Sequence, residues 1–147
     1  MLTLAHPAAF EPGDECAFVV DFRDVPGAIT QGDDLPDAMA MAADALGVIL
    51  LAYVEKGLPL PPASPPRAGE RVVSVEPDVA AKLAVLLAFR EAGITKAEFA
   101  RRLGKDEREV RQVLDPMHPT KLPALQRALA VLGRRLVVGV EAVERAA

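Results

Sequence analysis

Along the first third of the chain, apolar residues fall in short runs separated by turn formers, which is the patterning of strands. Residues 2–5 (LTLA) are short and apolar, the turn-prone Glu11-Pro12-Gly13-Asp14 follows, and residues 16–22 (CAFVVDF) are rich in β-formers, so the segment predicts a β-hairpin. Asp24-Val25-Pro26-Gly27 is a turn signal in which Pro26 stiffens the approach and Gly27 supplies φ freedom. Residues 28–30 predict a third strand, closed by Gly32-Asp33-Asp34. From Leu35 to about Lys56 the period changes to helical: Met39, Ala42, Ala43, Leu46, Ile49, Leu50 and Tyr53 recur on one face, with Asp33 or Asp34 as N-cap, Pro36 in the first turn and Gly57 as the stop. A helix this apolar needs a sheet or a partner to cover it. Residues 57–70 contain five prolines and predict an extended, semi-stiff connector. Residues 71–76 (RVVSVE) then return as a strand, giving a sheet of three or four strands with one covering helix.

After Pro77 the pattern is helical throughout. Residues 78–91 carry the stripe Val79, Leu83, Leu86, Leu87 and Arg90, and Gly93 ends them. Thr95 caps the next helix, with Glu98 completing a capping box; that helix runs to Leu103, where Gly104 breaks it. Further helices are predicted over residues 106–114 and 122–132, and residues 135–140 (RLVVGV) predict a terminal strand that pairs across a two-fold axis. Residues 95–113 therefore predict a helix-turn-helix. Such a motif crosses two short helices steeply, which requires a small residue at the contact, a glycine in the turn and apolar flanks. Ala100 is the small residue, Gly104 the turn, and Phe99, Leu103, Val110 and Val113 the apolar contacts. Lys105 is the irregular position, since an apolar residue is usual there. The second helix is predicted to lie in the major groove with Glu107, Arg108, Arg111 and Gln112 outward. Arg grips guanine bidentately and Gln reads adenine, so Arg108 and Arg111 lead as readout residues. Arg101, Arg102, Lys105 and Lys121 are placed for phosphates.

Charge sharpens this division. Residues 1–70 carry 11 acidic and 3 basic side chains, a net of −8, and residues 71–147 carry 10 acidic and 14 basic, a net of +4. The overall −4 conceals the contrast. The basic half suits DNA, and the acidic half attracts a basic protein. The reading is two modules: residues 1–76, including the 57–70 connector, and residues 77–147. At 51% hydrophobic the chain fills its core with aliphatics, since aromatics are only 4%. One cysteine excludes an intrachain disulfide, and no signal peptide and no 18-residue apolar stretch is read, so a cytoplasmic protein without a membrane span is expected.

Other chemistry is sparse. His6, His118 and Cys16 show no metal spacing, and Cys16 reads as a small buried thiol. Asp14, Asp21, Asp24, Asp33, Asp34 and Asp37 leave a metal-dependent nuclease as an alternative, with Asp21 on a strand the best placed; most of the others sit where Asp caps or turns the backbone. No Gly-rich phosphate loop is present, so no cofactor and no catalytic residue is expected. A plain repressor with a ligand-sensing first module is the other alternative.

Two stretches share one resemblance. Residues 18–46, with the strand, the turn Asp24, Pro26 and Gly27, then Thr30, Gly32 and the Ala-spaced helix, resemble the N-terminal domain of HicB antitoxins. Residues 94–122 are similar to the helix-turn-helix of the HicB proteins whose tail binds DNA. The resemblance implies an α+β chain: a partial ribonuclease-H-like antiparallel sheet with a covering helix and without a working nuclease centre, then an all-helical helix-turn-helix domain. It further implies that the first domain blocks a small, basic, mRNA-cleaving HicA toxin, and that the second dimerises and represses the operon. The proline-rich connector departs from the family.

Overall fold

The first strand forms later than the apolar pattern placed it. In the computed structural model, which describes residues 1–15 and 17–143, the elements run β1 (Ala5–Glu11), β2 (Phe18–Asp21), β3 (Ile29–Gly32), α1 (Leu35–Glu55), β4 (Glu70–Ser74), α2 (Pro77–Ala92), α3 (Lys96–Leu103), α4 (Glu107–Val113) and α5 (Leu122–Val131). Cys16, with the buried-thiol reading, lies outside the described residues. The chain is α+β and divides into two compact units, Met1–Ala80 and Ala81–Ala147; the division falls inside α2, a few residues beyond the expected boundary.

In the first unit the strand order is β3-β2-β1-β4, antiparallel throughout. β1 (AHPAAFE) holds few β-formers, yet it is one of the two central strands, with β2 on one side and β4 on the other. Its sheet position overrides its weak propensity. Pro7 is tolerated because it lies beyond the last β1–β2 pair and faces only Val72 of β4, so no ladder bond is required of it on the other side. β4 returns to the sheet as expected, pairing Ala5 with Ser74 through Ala9 with Glu70.

α1 starts at Asp34, whose side chain accepts from Asp37 N–H at 2.8 Å, and it packs against β3, β2 and β4. Ala38, Ala42, Ala43, Leu46, Leu50 and Val54 are buried, facing a sheet that contributes Ala8, Val20, Phe22 and Val73. The small residues allow close approach. A Cβ on Gly32 would lie 2.4 Å from both Ala38 N and Ala38 Cα, so only glycine fits where β3 meets α1. α1 corrects one expectation. At 21 residues it is long and apolar enough to cross a membrane by length and composition, because a helix that covers a sheet on one side can be apolar over much of its girth.

The second unit has its own core: Ala81, Val85 and Ala88 of α2, Phe99 and Ala100 of α3, Val110 of α4, and Leu125, Ala128 and Leu129 of α5. Phe89 and Phe99 stack tilted at 5.3 Å and join α2 to α3. The predicted terminal strand does not form. Residues 134–143 carry no regular structure, and Val137, Val138 and Val140 are exposed. A strand needs a neighbour for its N–H and C=O groups, and the single chain offers this segment none.

Candidate nucleic-acid interface and the acidic first unit

α3 begins at Thr95, whose hydroxyl accepts from Glu98 N–H at 3.1 Å. It ends at Gly104, left-handed at φ 66°, with Lys105 N–H donating to Ala100 O at 3.1 Å across the turn. α4 follows at once, capped by Asp106, which accepts from Glu109 N–H at 2.8 Å. The positions singled out for the turn and core behave alike: Phe99, Ala100 and Val110 are buried, and Leu103 and Val113 pack against them. Lys105, where an apolar residue is usual, is exposed.

The cations near this turn fall into two groups. Arg101 and Arg102 both bond Glu98, through Nε at 2.8 Å and 3.0 Å. The expected capping box is therefore half made, because the Glu98 carboxylate turns away from Thr95 toward the two arginines. Their hydrogen bonds, Arg101 first, pull the Glu98 carboxyl down to about 2, and Arg101 is raised in return. Arg108 and Arg111 on α4 and Lys121 before α5 are exposed, and among the described residues no hydrogen bond or ion pair engages their side chains. Glu107 is exposed beside Arg108. Gln112 is half-buried and lines a cleft between α4 and α5, so it stands apart from the outward arginines.

Sequence reasoning missed Lys82. It is 4% exposed on α2, and its ammonium donates to Val113 O at 2.8 Å, Gln112 O at 3.2 Å and Thr120 Oγ1 at 2.7 Å. Two of these acceptors are last-turn carbonyls of α4, the groups a helix leaves unpaired. The cation also faces the negative end of that helix. Burial pushes Lys82 down to about 8, with Asp115 opposing the shift. Its signal in the sequence was weak: one lysine inside an apolar stripe, with acceptors some 30 residues away.

In the first unit the Asp24 turn does more than reverse the chain. Gly27 has φ 93°, and Ala28 N–H donates to Val25 O at 3.1 Å. Pro26 is exposed at the tip, and Thr30 pairs with Val20 in β3. The Asp24 carboxylate accepts from Ser64 N–H at 2.8 Å and from the Ser64 hydroxyl at 2.9 Å. Neighbouring Arg23 grips Glu70 through two nitrogens, at 2.9 and 3.0 Å, and donates to Pro65 O at 2.7 Å. His6, buried in β1, bonds Pro61 O at 2.9 Å. The proline-rich stretch is thus tied to the sheet at three points. The Ser64 backbone bond first of all holds Asp24 below its usual value, and the Arg23 hydrogen bond does the same for Glu70.

The other acidic residues have backbone roles or stand in solvent. Asp34 caps α1, Asp37 accepts from Asp33 N–H at 2.9 Å, and Asp14 and Asp21 are exposed. Among the described residues no three His, Cys, Asp or Glu side chains gather as a metal ion requires.

Comparison with known proteins places the chain in a family. A family model described as a HicB-like antitoxin of bacterial toxin–antitoxin systems matches residues 5–84. Antitoxin HicB of Escherichia coli is 35% identical over 133 residues, 90% of this chain and 96% of that protein. Antitoxin HicB 1 of Photorhabdus laumondii is 33% identical over 138 residues, 94% of this chain and 88% of that protein. A chain of a toxin–antitoxin complex from Streptococcus pneumoniae superposes with a TM-score of 0.41 and 28% identity, covering 44% of this chain and 46% of that one. With a family match over the whole four-stranded sheet and its helix, and relatives aligned along nearly the full length, the chain belongs to the HicB-like family of antitoxins of bacterial toxin–antitoxin systems.

Proposed function

We propose that this antitoxin holds a small basic HicA-type, mRNA-cleaving toxin through its first unit, and represses its own operon through the second. It acts in the cytoplasm, as a binding protein without catalysis of its own. The observation that carries the DNA half is the pair Arg108 and Arg111, exposed on α4 with no side-chain partner among the described residues. α4 presents them from a helix-turn-helix anchored by Phe99, Ala100, Val110 and Gly104, as major-groove readout requires. Lys105 and Lys121 supply phosphate contacts. Arg101 and Arg102 contribute less, because both are drawn onto Glu98, whose one charge offsets half of theirs. The net charge of −8 over residues 1–70 supports a basic partner for the first unit.

The DNA-binding form is a dimer. The exposed valines of residues 137–143, rich in β-formers and unpaired in one chain, form an antiparallel ribbon with a second copy. The domain reading of residues 1–76 as toxin-binding and 77–147 as DNA-binding and dimerising follows from the same division. A gel shift with DNA from upstream of the gene tests it. Arg108→Ala with Arg111→Ala is expected to weaken binding at least ~30-fold, since a bidentate base contact contributes about 1–3 kcal/mol. Unchanged affinity in the doubly substituted protein rejects these residues as readers.

A further inference from the structure

We propose that the cleft between α4 and α5 binds a phosphoryl group, gripped by Lys105, Arg127, His118 and the hydroxyl of Thr120. The cleft measures about 170 Å³ and also admits Gln112 and Glu109 to its wall. A water molecule takes about 30 Å³, so the space suits a tetrahedral oxyanion with part of its hydration. Lys105 comes from the turn, Arg127 from α5, and His118 and Thr120 from the loop between the last two helices. Lys105 and Arg127 are exposed, and among the described residues neither side chain has a hydrogen bond or ion pair.

Two further features favour an anion. The Lys82 ammonium lies behind the wall, bonded to Thr120 Oγ1 at 2.7 Å and to the carbonyls of Gln112 and Val113, which also line the cleft. Thr120 then has its acceptor side occupied, while its own hydrogen points to His118 O at a long 3.4 Å. Turning that O–H onto a phosphoryl oxygen exchanges a poor hydrogen bond for a charge-assisted one. Glu109 is the one carboxylate in the lining among the described residues, and it weakens the site without cancelling two cations, a donor-bearing imidazole and a hydroxyl. The cleft adjoins the helix assigned above to DNA reading, so a backbone phosphate is one source of the group. A small phosphorylated molecule is the other.

The test is titration of the ¹⁵N-labelled full chain with inorganic phosphate at pH 7, with ionic strength held by chloride. Saturable shifts are expected at the amides of Lys105, His118, Thr120 and Arg127. Arg127→Gln, on an exposed position, is expected to weaken phosphate about tenfold, the loss of one hydrogen bond to a charged group. Glu109→Gln is expected to tighten it. No saturable shift, or equal affinity in Arg127→Gln and the parent, overturns the proposal. Upstream DNA then identifies the source. A fall of about one in the salt slope for Arg127→Gln assigns a backbone phosphate. An unchanged slope with phosphate binding lost assigns a small ligand. The phosphate titration stands independently of whether Arg108 and Arg111 read DNA.

Discussion

At the scale of single residues, Lys82 and Glu98 set much of what the second unit can do, and one hydrogen atom on Gly32 shapes the first. Lys82 holds the C-terminal end of α4 from inside the core. Its value is lowered to about 8 from 10.5, so between those limits the unfolded chain binds more protons than the folded one. Stability of this unit is therefore expected to rise as pH goes from about 8 to about 10.5, and to stay level below that window. Side-chain NMR checks it directly: the Lys82 ammonium is expected to titrate near 8. Glu98 works in the opposite sense. With the carboxyl lowered to about 2, its contribution to α3 is complete above about 4.5 and drains away as pH falls toward 2. Glu98→Gln frees Arg101 and Arg102 and is expected to steepen the salt dependence of DNA binding by up to about two, read from affinities over a range of chloride. In the first unit the hydrogen that replaces a Cβ on Gly32 lets β3 meet Ala38, and Gly32→Ala is expected to cost about 1–3 kcal/mol in urea unfolding.

At the scale of elements, the proline-rich segment is the part whose behaviour the structure changes most. By composition it is a spacer; by contact it is a strap fixed through Asp24, Arg23 and His6. Asp24 and Glu70 are both lowered, so their hold is full above their ordinary values near 4 and is lost as pH falls through the folded values. Amide exchange is expected to show Ser64 and Arg67 losing protection in acid before the β1–β4 ladder does, and Arg23→Ala is expected to expose the same two amides at neutral pH. The helices were legible in the sequence because period, caps and glycine stops agreed: Thr95 caps as read, Asp34 is the one of the two candidate caps that serves α1, and Gly104 takes the left-handed turn. β1 was not legible. Its His6, Pro7 and alanines carry no alternation, and the sheet alone makes them a strand. The terminal valines misled in the opposite way, having the propensity of a strand but no neighbour within one chain. The strap and Lys82 were hidden because their partners stand 30 to 55 residues away, where no local pattern reaches.

At the scale of the whole molecule, the acidic-to-basic change along the chain and the two compact units agree in outline, and the function proposed above gives each unit its own task. The most direct test of that account uses one cell-based experiment with two readouts. A HicA-type toxin is co-expressed with the antitoxin carrying Arg108→Ala and Arg111→Ala, beside a reporter driven by the antitoxin's own promoter. Growth is expected to be rescued as fully as by the unsubstituted chain, together with a derepressed reporter. A substituted chain that accumulates to normal levels but fails to rescue growth, or one that rescues growth while the reporter stays silent, contradicts it.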